Sequence, residues 1–394
     1  MKHRIVVLGA GYAGAYAAGT LARRLSPADA EVTVVNAEPD FVQRLRLHQL
    51  AAGQDVEAPK LADVFAGTAV RLRLARVTAV DPERRVVAVA DADGGGELGY
   101  DTLVYALGSH GDDRGVPGVG AHAFDIAARP SALRLRERLA GLGEGGSVVV
   151  VGDGLTGIEA ATEIAESRPG LAVTLVARGE LGARLSAGAR GHLRRACDRL
   201  GVTVVEHTEV EAVEAGRVLC ADGSVLASDA TVWTAGFAVG RIAASAGLEV
   251  TAEGRVVVDR TMRSVSHPDV YAAGDSAFVL GDNGRPLPMS CASAGYTGRQ
   301  AVNAIVGRLT GEEIASAKLE YVGNHISLGR RDGIVQLVDR EGRAKARYFD
   351  GRFAARFKAG VVWMSLWATA HPTFGLPRRR HRLDVSAKQP VVSA

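Results

Sequence analysis

Two glycine-rich segments of one type lie about 140 residues apart in this chain of 394 residues. The first reads Gly9-Ala10-Gly11-Tyr12-Ala13-Gly14, and the second reads Gly152-Asp153-Gly154-Leu155-Thr156-Gly157. In such a turn the first glycine permits a tight bend, the second lets a pyrophosphate approach the backbone, and the third lets a helix pack on a strand. The chain is therefore predicted to hold two dinucleotides, which could exchange a hydride if they meet face to face.

Each glycine-rich turn is predicted to connect a buried strand to a helix. The runs Arg4–Leu8 and Ser147–Val151 are continuously apolar, which is typical of parallel strands covered on both faces. The elements predicted to follow them are helices at Ala13–Leu25 and Gly157–Glu166 and second strands at Glu31–Val35 and Ala172–Val176. Both segments therefore open a βαβ unit, in which the phosphates meet the N-terminus of the helix.

The end of each second strand indicates which nucleotide is bound. A carboxylate there accepts hydrogen bonds from a ribose 2′-hydroxyl, whereas an arginine pairs with a 2′-phosphate. The first strand ends at Asn36, whose amide can still hydrogen-bond a ribose, and Glu38 follows two residues later. The second strand is followed by Arg178, with no acid before Glu180. This favours NADPH over NADH, the alternative being that Arg178 is an ordinary solvated surface residue.

Length and composition describe a soluble globular chain of two to three domains. Hydrophobic residues make up 47% and charged residues 23% of it. The net charge of +3 gives no indication of nucleic-acid binding, and no motif of that kind is present. The first predicted strand begins within four residues of Met1, which leaves no room for a signal peptide and predicts a cytosolic location.

The cysteines do not form a recognisable redox motif. Cys197, Cys220 and Cys291 are widely spaced and include no C-x-x-C pair, so neither a disulfide framework nor a reductase dithiol is indicated. We expect them to be packing residues.

Three further segments give the chain a family resemblance. They are Tyr100-Asp-Thr-Leu-Val-Tyr-Ala-Leu-Gly108-Ser109, Val232-Trp-Thr-Ala-Gly236-Phe237 and Val270-Tyr-Ala-Ala-Gly274-Asp275. Together with the two glycine-rich turns, and in this order, they resemble the signature segments of two-dinucleotide-domain flavoproteins over residues 1 to about 310. The resemblance implies FAD at the first turn, NADPH or NADH at the second, and Asp275 at the ribityl chain of the flavin.

The same resemblance implies the fold. It is an α/β fold with two Rossmann-like, three-layer dinucleotide-binding domains and a small C-terminal α+β cap. The expected FAD-binding domain is discontinuous and comprises residues 1–115 and 255–315. The expected NAD(P)H-binding domain covers residues 116–254, and the cap covers residues 316–394.

Within this superfamily the chain is similar to the type II NADH dehydrogenase group, single-chain flavoproteins that pass electrons from a nicotinamide to a quinone. The likeness rests on Gly157-Ile-Glu159-Ala, on the turn after Trp233 and on a C-terminal stretch from Tyr321. It implies that Glu159 reaches the flavin and nicotinamide, where a carboxylate can orient an amide or relay a proton. It also implies that Lys358 lies near the flavin. The alternatives are a helix N-terminal acid for Glu159 and a snorkelling surface residue for Lys358.

The segment after the first βα unit is expected to pass near the isoalloxazine. It reads Phe41-Val-Gln-Arg44-Leu-Arg-Leu-His48-Gln49. If the segment is helical, Arg44 and His48 share a face because they are four residues apart. Arg44 is then a candidate cofactor contact and His48 a candidate contact of flavin or acceptor, although a structural role is the common one for a single histidine.

The chain also departs from the type II group at the presumed acceptor site. That group commonly carries an Ala-Gln pair and a second glutamine after the FAD aspartate, where this chain reads Pro288-Met-Ser-Cys-Ala-Ser-Ala-Gly-Tyr296. The predicted function is therefore a FAD-dependent NAD(P)H oxidoreductase whose partner is a quinone or other small electron acceptor. The alternatives are a soluble biosynthetic or redox-carrier reductase, a non-catalytic nucleotide sensor, and a sulfide:quinone reductase that uses Cys291.

Membrane attachment is the remaining open point, because the type II group docks on bilayers through C-terminal amphipathic helices. Residues Ala359–Ala370 are apolar and include two tryptophans, and Pro372 and a basic run at Arg378–Arg382 follow. The stretch is too short to span a bilayer, which takes about 20 residues. A helix buried on the FAD domain or at a homodimer interface is favoured over peripheral membrane association, because a charged face is lacking.

Overall fold

Continuous apolar runs in the sequence form the central strands of two parallel sheets. The coordinates are a computed structural model that describes residues 1–92, 94–313, 318–321, 323–371, 374 and 380–384. Val7, Leu8, Val148 and Val150 have no exposed surface, as expected for strands that are covered by helices on both faces.

The first third of the chain contains most of the first sheet. The strands in this third of the chain are β1 (His3–Leu8), β2 (Ala30–Asn36), β3 (Val70–Leu74), β4 (Arg76–Asp81), β5 (Val86–Ala90), β6 (Gly96–Gly99), β7 (Thr102–Tyr105) and β8 (His110–Gly111). Its helices are α1 (Tyr12–Arg24), α2 (Leu47–Ala52) and α3 (Leu61–Val64), with a single 3-10 turn at Arg44–Arg46.

The middle third contains the second sheet. The strands in this third of the chain are β9 (Ala123–Asp125), β10 (Ser147–Val151), β11 (Ala172–Val176), β12 (Thr203–Val205), β13 (Val210–Glu214), β14 (Arg217–Cys220), β15 (Val225–Ala227), β16 (Ala230–Trp233) and β17 (Phe237–Ala238). Its helices are α4 (Val119–His122), α5 (Arg129–Ala140), α6 (Leu155–Ser167), α7 (Ala187–Leu200) and α8 (Ile242–Ser245).

The last third returns to the first sheet and then builds a separate layer. Its strands are β18 (Val256–Val257), β19 (Val270–Ala272), β20 (Ala277–Phe278), β21 (Gly323–Ser327), β22 (Gly333–Val338) and β23 (Ala344–Asp350). Its helices are α9 (Cys291–Thr310) and α10 (Gly351–Ala370), with a 3-10 turn at Gly274–Ser276.

The two large sheets are parallel and similarly ordered. The first has the order β19-β7-β1-β2-β3 and the second the order β12-β11-β10-β16-β9. Strand β19 comes from the last third of the chain yet pairs with β7, so the first sheet is built from two distant parts of the sequence. The predicted α/β fold with two Rossmann-like units, the first of them discontinuous, is confirmed.

The C-terminal layer consists of an antiparallel sheet and one long helix. Strands β21, β22 and β23 pair in that order, and α10 packs on β22. The turn between β21 and β22 is attached to α6, because the Arg330 N–H donates to Glu166 Oε2 at 2.6 Å. The layer matches the α+β cap expected from the sequence, and it contacts both nucleotide units through α1 and α6.

Helix α10 is longer than the apolar stretch Ala359–Ala370 noted in the sequence, and its outer face is exposed. It begins eight residues before Ala359 and presents Trp363 and Met364 to solvent, each 63% exposed, so its outer face is not buried on the first unit. No helix among the described residues has the length and apolar character needed to cross a bilayer. Pro372 and the first two arginines of the basic run lie outside the described residues.

The third glycine of each turn is required by packing. A Cβ atom on Gly157 would lie 1.8 Å from the Gly152 carbonyl oxygen, and one on Gly14 would lie 1.9 Å from the Gly9 carbonyl oxygen. These atoms belong to backbone and cannot rotate away. Close contact between strand end and helix start therefore depends on the absence of a side chain at both positions.

We expect Gly157→Ala to lower the free energy of unfolding by about 1–3 kcal/mol, since the added methyl group forces the turn apart. Urea denaturation of the protein without nicotinamide nucleotide measures this change. Gly191→Ala on α7 is the matched control, because its Cβ would meet only the end of Arg195 at 3.4 Å. An equal loss of stability in both variants would contradict the packing argument.

Candidate active site

One cavity of about 570 Å³ lies where the two sheets face each other, within the range of roughly 300–1,000 Å³ typical of ligand pockets. It joins both glycine-rich turns to α10. The predicted site residues that line it are Ala10, Gly11, Tyr12, Ala13, Asn36, Arg44, His48, Gly108, Leu155, Thr156, Glu159, Gly274, Asp275 and Lys358.

The other predicted site residues do not line this cavity. They are Gly9, Gly14, Gly152, Gly154, Gly157, Arg178 and Gly236. Gly9 and Gly152 have positive φ angles of 90° and 112° and shape the turns from behind. Gly236 faces the Arg114 guanidinium, which a Cβ would approach to 2.4 Å, so Gly236 serves local packing and its neighbour Phe237 lines the cavity instead.

The first glycine-rich turn provides a site for phosphate. Helix α1 begins at Tyr12 with no side-chain cap and no acid in its first turn, so its N–H groups and positive dipole end face the cavity. A Cβ on Gly11 would meet nothing within 4 Å, so the space beside the backbone is open to a ligand. This arrangement fits the pyrophosphate of FAD.

Asn36 supports the turn through hydrogen bonds at both ends of its amide. The Ala10 N–H donates to Asn36 Oδ1 at 2.9 Å, and Asn36 Nδ2 donates to the Glu38 carbonyl oxygen at 2.7 Å. The amide is thus engaged with the backbone and not directed chiefly at a ribose. The exposed residue Glu38 also lines the cavity.

Arg44 and Asp275 come together from distant parts of the chain. Arg44 Nη1 lies 3.5 Å from Asp275 Oδ2 and donates to the Ser109 carbonyl oxygen at 3.0 Å. Ser109 Oγ donates to the same Asp275 oxygen at 2.6 Å. These contacts fix the carboxylate beside Gly274, where it fits a hydroxylated chain such as the ribityl group. Arg44 and His48 do not share one helix, because Arg44 begins the 3-10 turn and His48 belongs to α2.

The second glycine-rich turn opens on the same cavity. Helix α6 also begins without a side-chain cap, and Leu155 and Thr156 in its first turn line the cavity. Arg178 is exposed just beyond β11, and the turn is next to it because the Gly152 N–H donates to the Val176 carbonyl oxygen at 3.0 Å. The residues fit a nicotinamide dinucleotide whose reactive ring enters the cavity.

Glu159 is a buried carboxylate at the meeting point of three elements. It is 9% exposed and is the fifth residue of α6, beyond the first turn, so it is not a helix N-terminal acid. Its Oε1 accepts from the Ser327 N–H at 2.8 Å and contacts Lys358 Nζ, and its Oε2 lies 3.9 Å from His48 Nδ1. A carboxylate from α6 is thereby joined to the cap and to α2.

Lys358 and His48 are both buried beside this carboxylate. Lys358 is 7% exposed, so it is not a snorkelling surface residue, and burial lowers the pKa of its ammonium group. Burial and the positive charges of Lys358 and Arg46 lower the pKa of His48 to about 3. His48 is therefore neutral at physiological pH, and Glu159 is in contact with Lys358.

The cysteines remain free thiols. Cys291 lines the cavity, but burial and the charge of Asp275 raise its pKa to about 12, so it is not a thiolate nucleophile. Cys197 and Cys220 are buried in the second unit. A reactive cysteine pair at the flavin, which a sulfide:quinone reductase mechanism would need, is therefore not formed by these residues.

The residues at the far end of the cavity were not predicted from the sequence. It is lined by Tyr296 of α9, by Tyr321 and His325 at the cap sheet, and by Val361, Val362 and Ser365 of α10. These residues come from separate elements, and no spacing in the sequence connects them.

Known proteins were compared with the chain. A profile of the pyridine nucleotide-disulphide oxidoreductase family matches residues 3–298. An NADH dehydrogenase-like protein of Mycobacterium tuberculosis is 32% identical over 353 residues, which cover 83% of this chain and 86% of that protein. A type II NADH:quinone oxidoreductase of Staphylococcus aureus is 27% identical over 400 residues, covering 92% and 98%. The sulfide:quinone oxidoreductase of Aquifex aeolicus superposes with a TM-score of 0.80 at 17% identity, covering 100% of both chains, and shows the fold.

His48 makes the stability of the fold depend on pH. The unfolded chain binds a proton at the ordinary histidine pKa of 6.5, whereas the folded ring resists protonation down to about 3. Between these values the unfolded state holds more protons, so we expect the free energy of unfolding to fall by up to about 1.4 kcal/mol per unit of pH decrease. Urea titrations between about pH 4 and pH 6 measure this slope.

His48→Gln should show a shallower slope than the wild type, because the titrating ring is gone. His110→Gln removes an exposed ring and is the control. Equal slopes in wild type and His48→Gln would show that the buried ring does not govern acid stability.

Proposed function

Because the chain belongs to the pyridine nucleotide-disulphide oxidoreductase family, we propose that it transfers electrons from NADPH through FAD to a quinone. Its family membership and relatives make it an NAD(P)H-dependent flavoprotein oxidoreductase. The preference for NADPH and the quinone acceptor are the parts that we propose. The observation that carries the proposal is that both glycine-rich turns open on one cavity with Glu159 between them.

The residues assigned to FAD line the part of the cavity nearest the first sheet. The N-terminus of α1 binds the pyrophosphate, Glu38 accepts from the ribose, and Asp275 accepts from the ribityl hydroxyls. Asp275 is held for this role by Ser109 and Arg44. When bound, FAD supplies the two-electron chemistry between the nicotinamide and the acceptor.

The residues of α6 position the nicotinamide. Leu155 and Thr156 border the cavity at the start of the helix, and Glu159 follows one turn later. Its Oε1 is held by Ser327 and Lys358, so the carboxylate keeps one orientation without a ligand. We assign to it a hydrogen bond from the carboxamide of the nicotinamide, which aligns the ring for transfer.

The charges near β11 support the choice of NADPH. Arg178 is exposed where the adenosine 2′-phosphate would lie. Glu180 is the acid closest after it, but its carboxylate is held by Arg190 at 2.6 Å and faces Arg194 at 3.6 Å. Glu180 is therefore poorly placed to accept ribose hydroxyls, which leaves Arg178 as the group that selects the nucleotide.

The far end of the cavity supports a small, partly apolar acceptor. Val361 and Val362 contribute apolar surface, and Tyr296, Tyr321 and His325 contribute polar groups. A quinone combines an apolar ring with carbonyl oxygens and matches this mixture. The glutamines typical of type II enzymes are not needed by this proposal, because other polar side chains are present.

The outer face of α10 supports docking on a membrane surface. Phe353, Phe357, Trp363 and Met364 are 61%, 45%, 63% and 63% exposed on this helix, whose inner face lines the cavity. Exposed arginines at positions 352 and 356 lie on the same helix and complement anionic lipid headgroups. We propose peripheral association through this face, which brings a lipophilic acceptor to the cavity.

Anaerobic stopped-flow mixing tests the reaction. We expect NADPH to bleach the flavin absorbance at about 450 nm, because bound FAD would accept the electrons of the nicotinamide. We expect NADH to bleach it more slowly. Adding a quinone should then restore the absorbance. A yellow protein that neither nucleotide bleaches would contradict the proposed function, and restoration only by a soluble protein acceptor would exclude the quinone.

Arg178→Ala should raise the KM for NADPH about tenfold or more and leave the KM for NADH nearly unchanged, since a charged hydrogen bond to the 2′-phosphate is lost. Steady-state kinetics with both nucleotides measure the change. Arg184→Ala removes a nearby exposed arginine and is the control. Equal changes for both nucleotides would show that Arg178 does not discriminate between them.

Co-sedimentation with vesicles that contain phosphatidylglycerol tests the docking face. The double variant Phe353→Ser with Trp363→Ser should bind several-fold more weakly, because two exposed aromatic side chains that would insert into the lipid surface are lost. Leu280→Ser, which removes an exposed apolar residue elsewhere, is the control. Loss of a concentration-dependent dimer in the double variant, without vesicle binding by the wild type, would instead identify this face as a homodimer interface.

A further inference from the structure

His325 is a polar group in the acceptor end of the cavity that the reaction outlined above leaves without a role. It lies on β21, lines the cavity and is half-buried. Its ring packs edge-on against Phe357 of α10, with the ring centroids 5.4 Å apart. This contact restrains the plane of the imidazole.

The ring is connected on two sides to the buried pair Glu159 and Lys358. Strand β21 places His325 and Ser327 on one face, and the Ser327 N–H holds Glu159 Oε1 at 2.8 Å. Phe357, the residue against which the ring packs, immediately precedes Lys358, which contacts the same Glu159 oxygen. His325 is therefore positioned by the same elements that position the predicted redox site.

The hydrogen-bonding groups of the ring are available to a ligand. Within the part of the chain that the structure describes, no residue hydrogen-bonds either ring nitrogen, whereas His192 and His381 each have a carboxylate partner. Burial lowers the pKa of His325, so the ring is neutral at physiological pH and carries one N–H donor. A fixed, neutral donor beside the apolar residues Val361 and Val362 suits a carbonyl oxygen on an otherwise apolar ring.

We propose that His325 binds the electron acceptor by donating a hydrogen bond from its imidazole to a carbonyl oxygen of a quinone. The inference rests on the proposed function and deepens it, since it names the group that recognises the acceptor.

The test measures binding as well as turnover. Isothermal titration calorimetry with decylubiquinone and the oxidised holoenzyme, without NADPH or NADH, gives the Kd of this quinone for wild type, His325→Leu and His325→Gln. We expect His325→Leu to raise the Kd and the KM for this quinone about three- to tenfold, as the loss of one hydrogen bond implies. His325→Gln retains an N–H donor and should recover most of the affinity.

Two further readouts separate this role from a structural one. Ferricyanide takes electrons without a carbonyl contact, so its KM should change far less in His325→Leu than the KM for decylubiquinone. His110→Leu, an exposed histidine on β8, is the control. An unchanged quinone Kd in His325→Leu, or equal losses with both acceptors, would overturn the assignment.

The outcomes also separate this inference from the proposed function. If NADPH and NADH fail to bleach the flavin of the wild type, the proposed function fails. The quinone Kd of the variants still decides the role of His325 in that case, because the titration needs no reduced flavin. If the flavin is bleached and the Kd values are equal, only the assignment of His325 is lost.

Discussion

The arrangement of the whole molecule depends on the burial of one carboxylate. Glu159 is on α6 of the second unit, and taking its charge out of water is costly unless a cation and hydrogen-bond donors accompany it. Lys358 arrives from α10 and the Ser327 N–H from β21, so both partners belong to the cap. The carboxylate therefore requires the cap to be seated on α6, and the seated cap closes the cavity between the two nucleotide units.

Neighbouring contacts along α6 reinforce this arrangement. Glu163, one turn after Glu159, is 1% exposed and lies 3.2 Å from Arg330 Nε of the cap. Glu166 accepts from the backbone N–H of the same arginine. The helix that carries the second glycine-rich turn is thus attached to the cap over about two turns, and a rigid attachment is what an alignment of two cofactor rings needs.

Helix α10 performs two tasks because its faces differ. The inner face brings Lys358 to Glu159 and lines the acceptor end of the cavity with Val361, Val362 and Ser365. The outer face carries exposed aromatic residues and arginines. A surface of this kind is uncommon on monomeric soluble proteins and is typical of protein or membrane interaction sites. Under the proposed function the same helix would connect a membrane surface to the redox site.

Local sequence determined the two nucleotide units, because a G-x-G-x-x-G turn with its flanking strands needs only near neighbours to be recognised. The predicted bounds of β10 and β11 agree with the structure, and the helices differ by a few residues at their ends. The family resemblance implied only that the first domain is discontinuous, and the pairing of β19 with β7 came from the structure, since nothing in the local pattern specifies that Val270 pairs with Leu103.

Tertiary structure alone decided how the candidate residues are used. Asn36 supports its own turn, Arg44 serves Asp275, and the environments of His48 and Lys358 follow from which elements bury them. His325 became a candidate only when the cap sheet placed it beside α10. The physical reason is that desolvation and charge pairing depend on atoms brought together from distant parts of the chain, and sequence spacing carries no record of those distances.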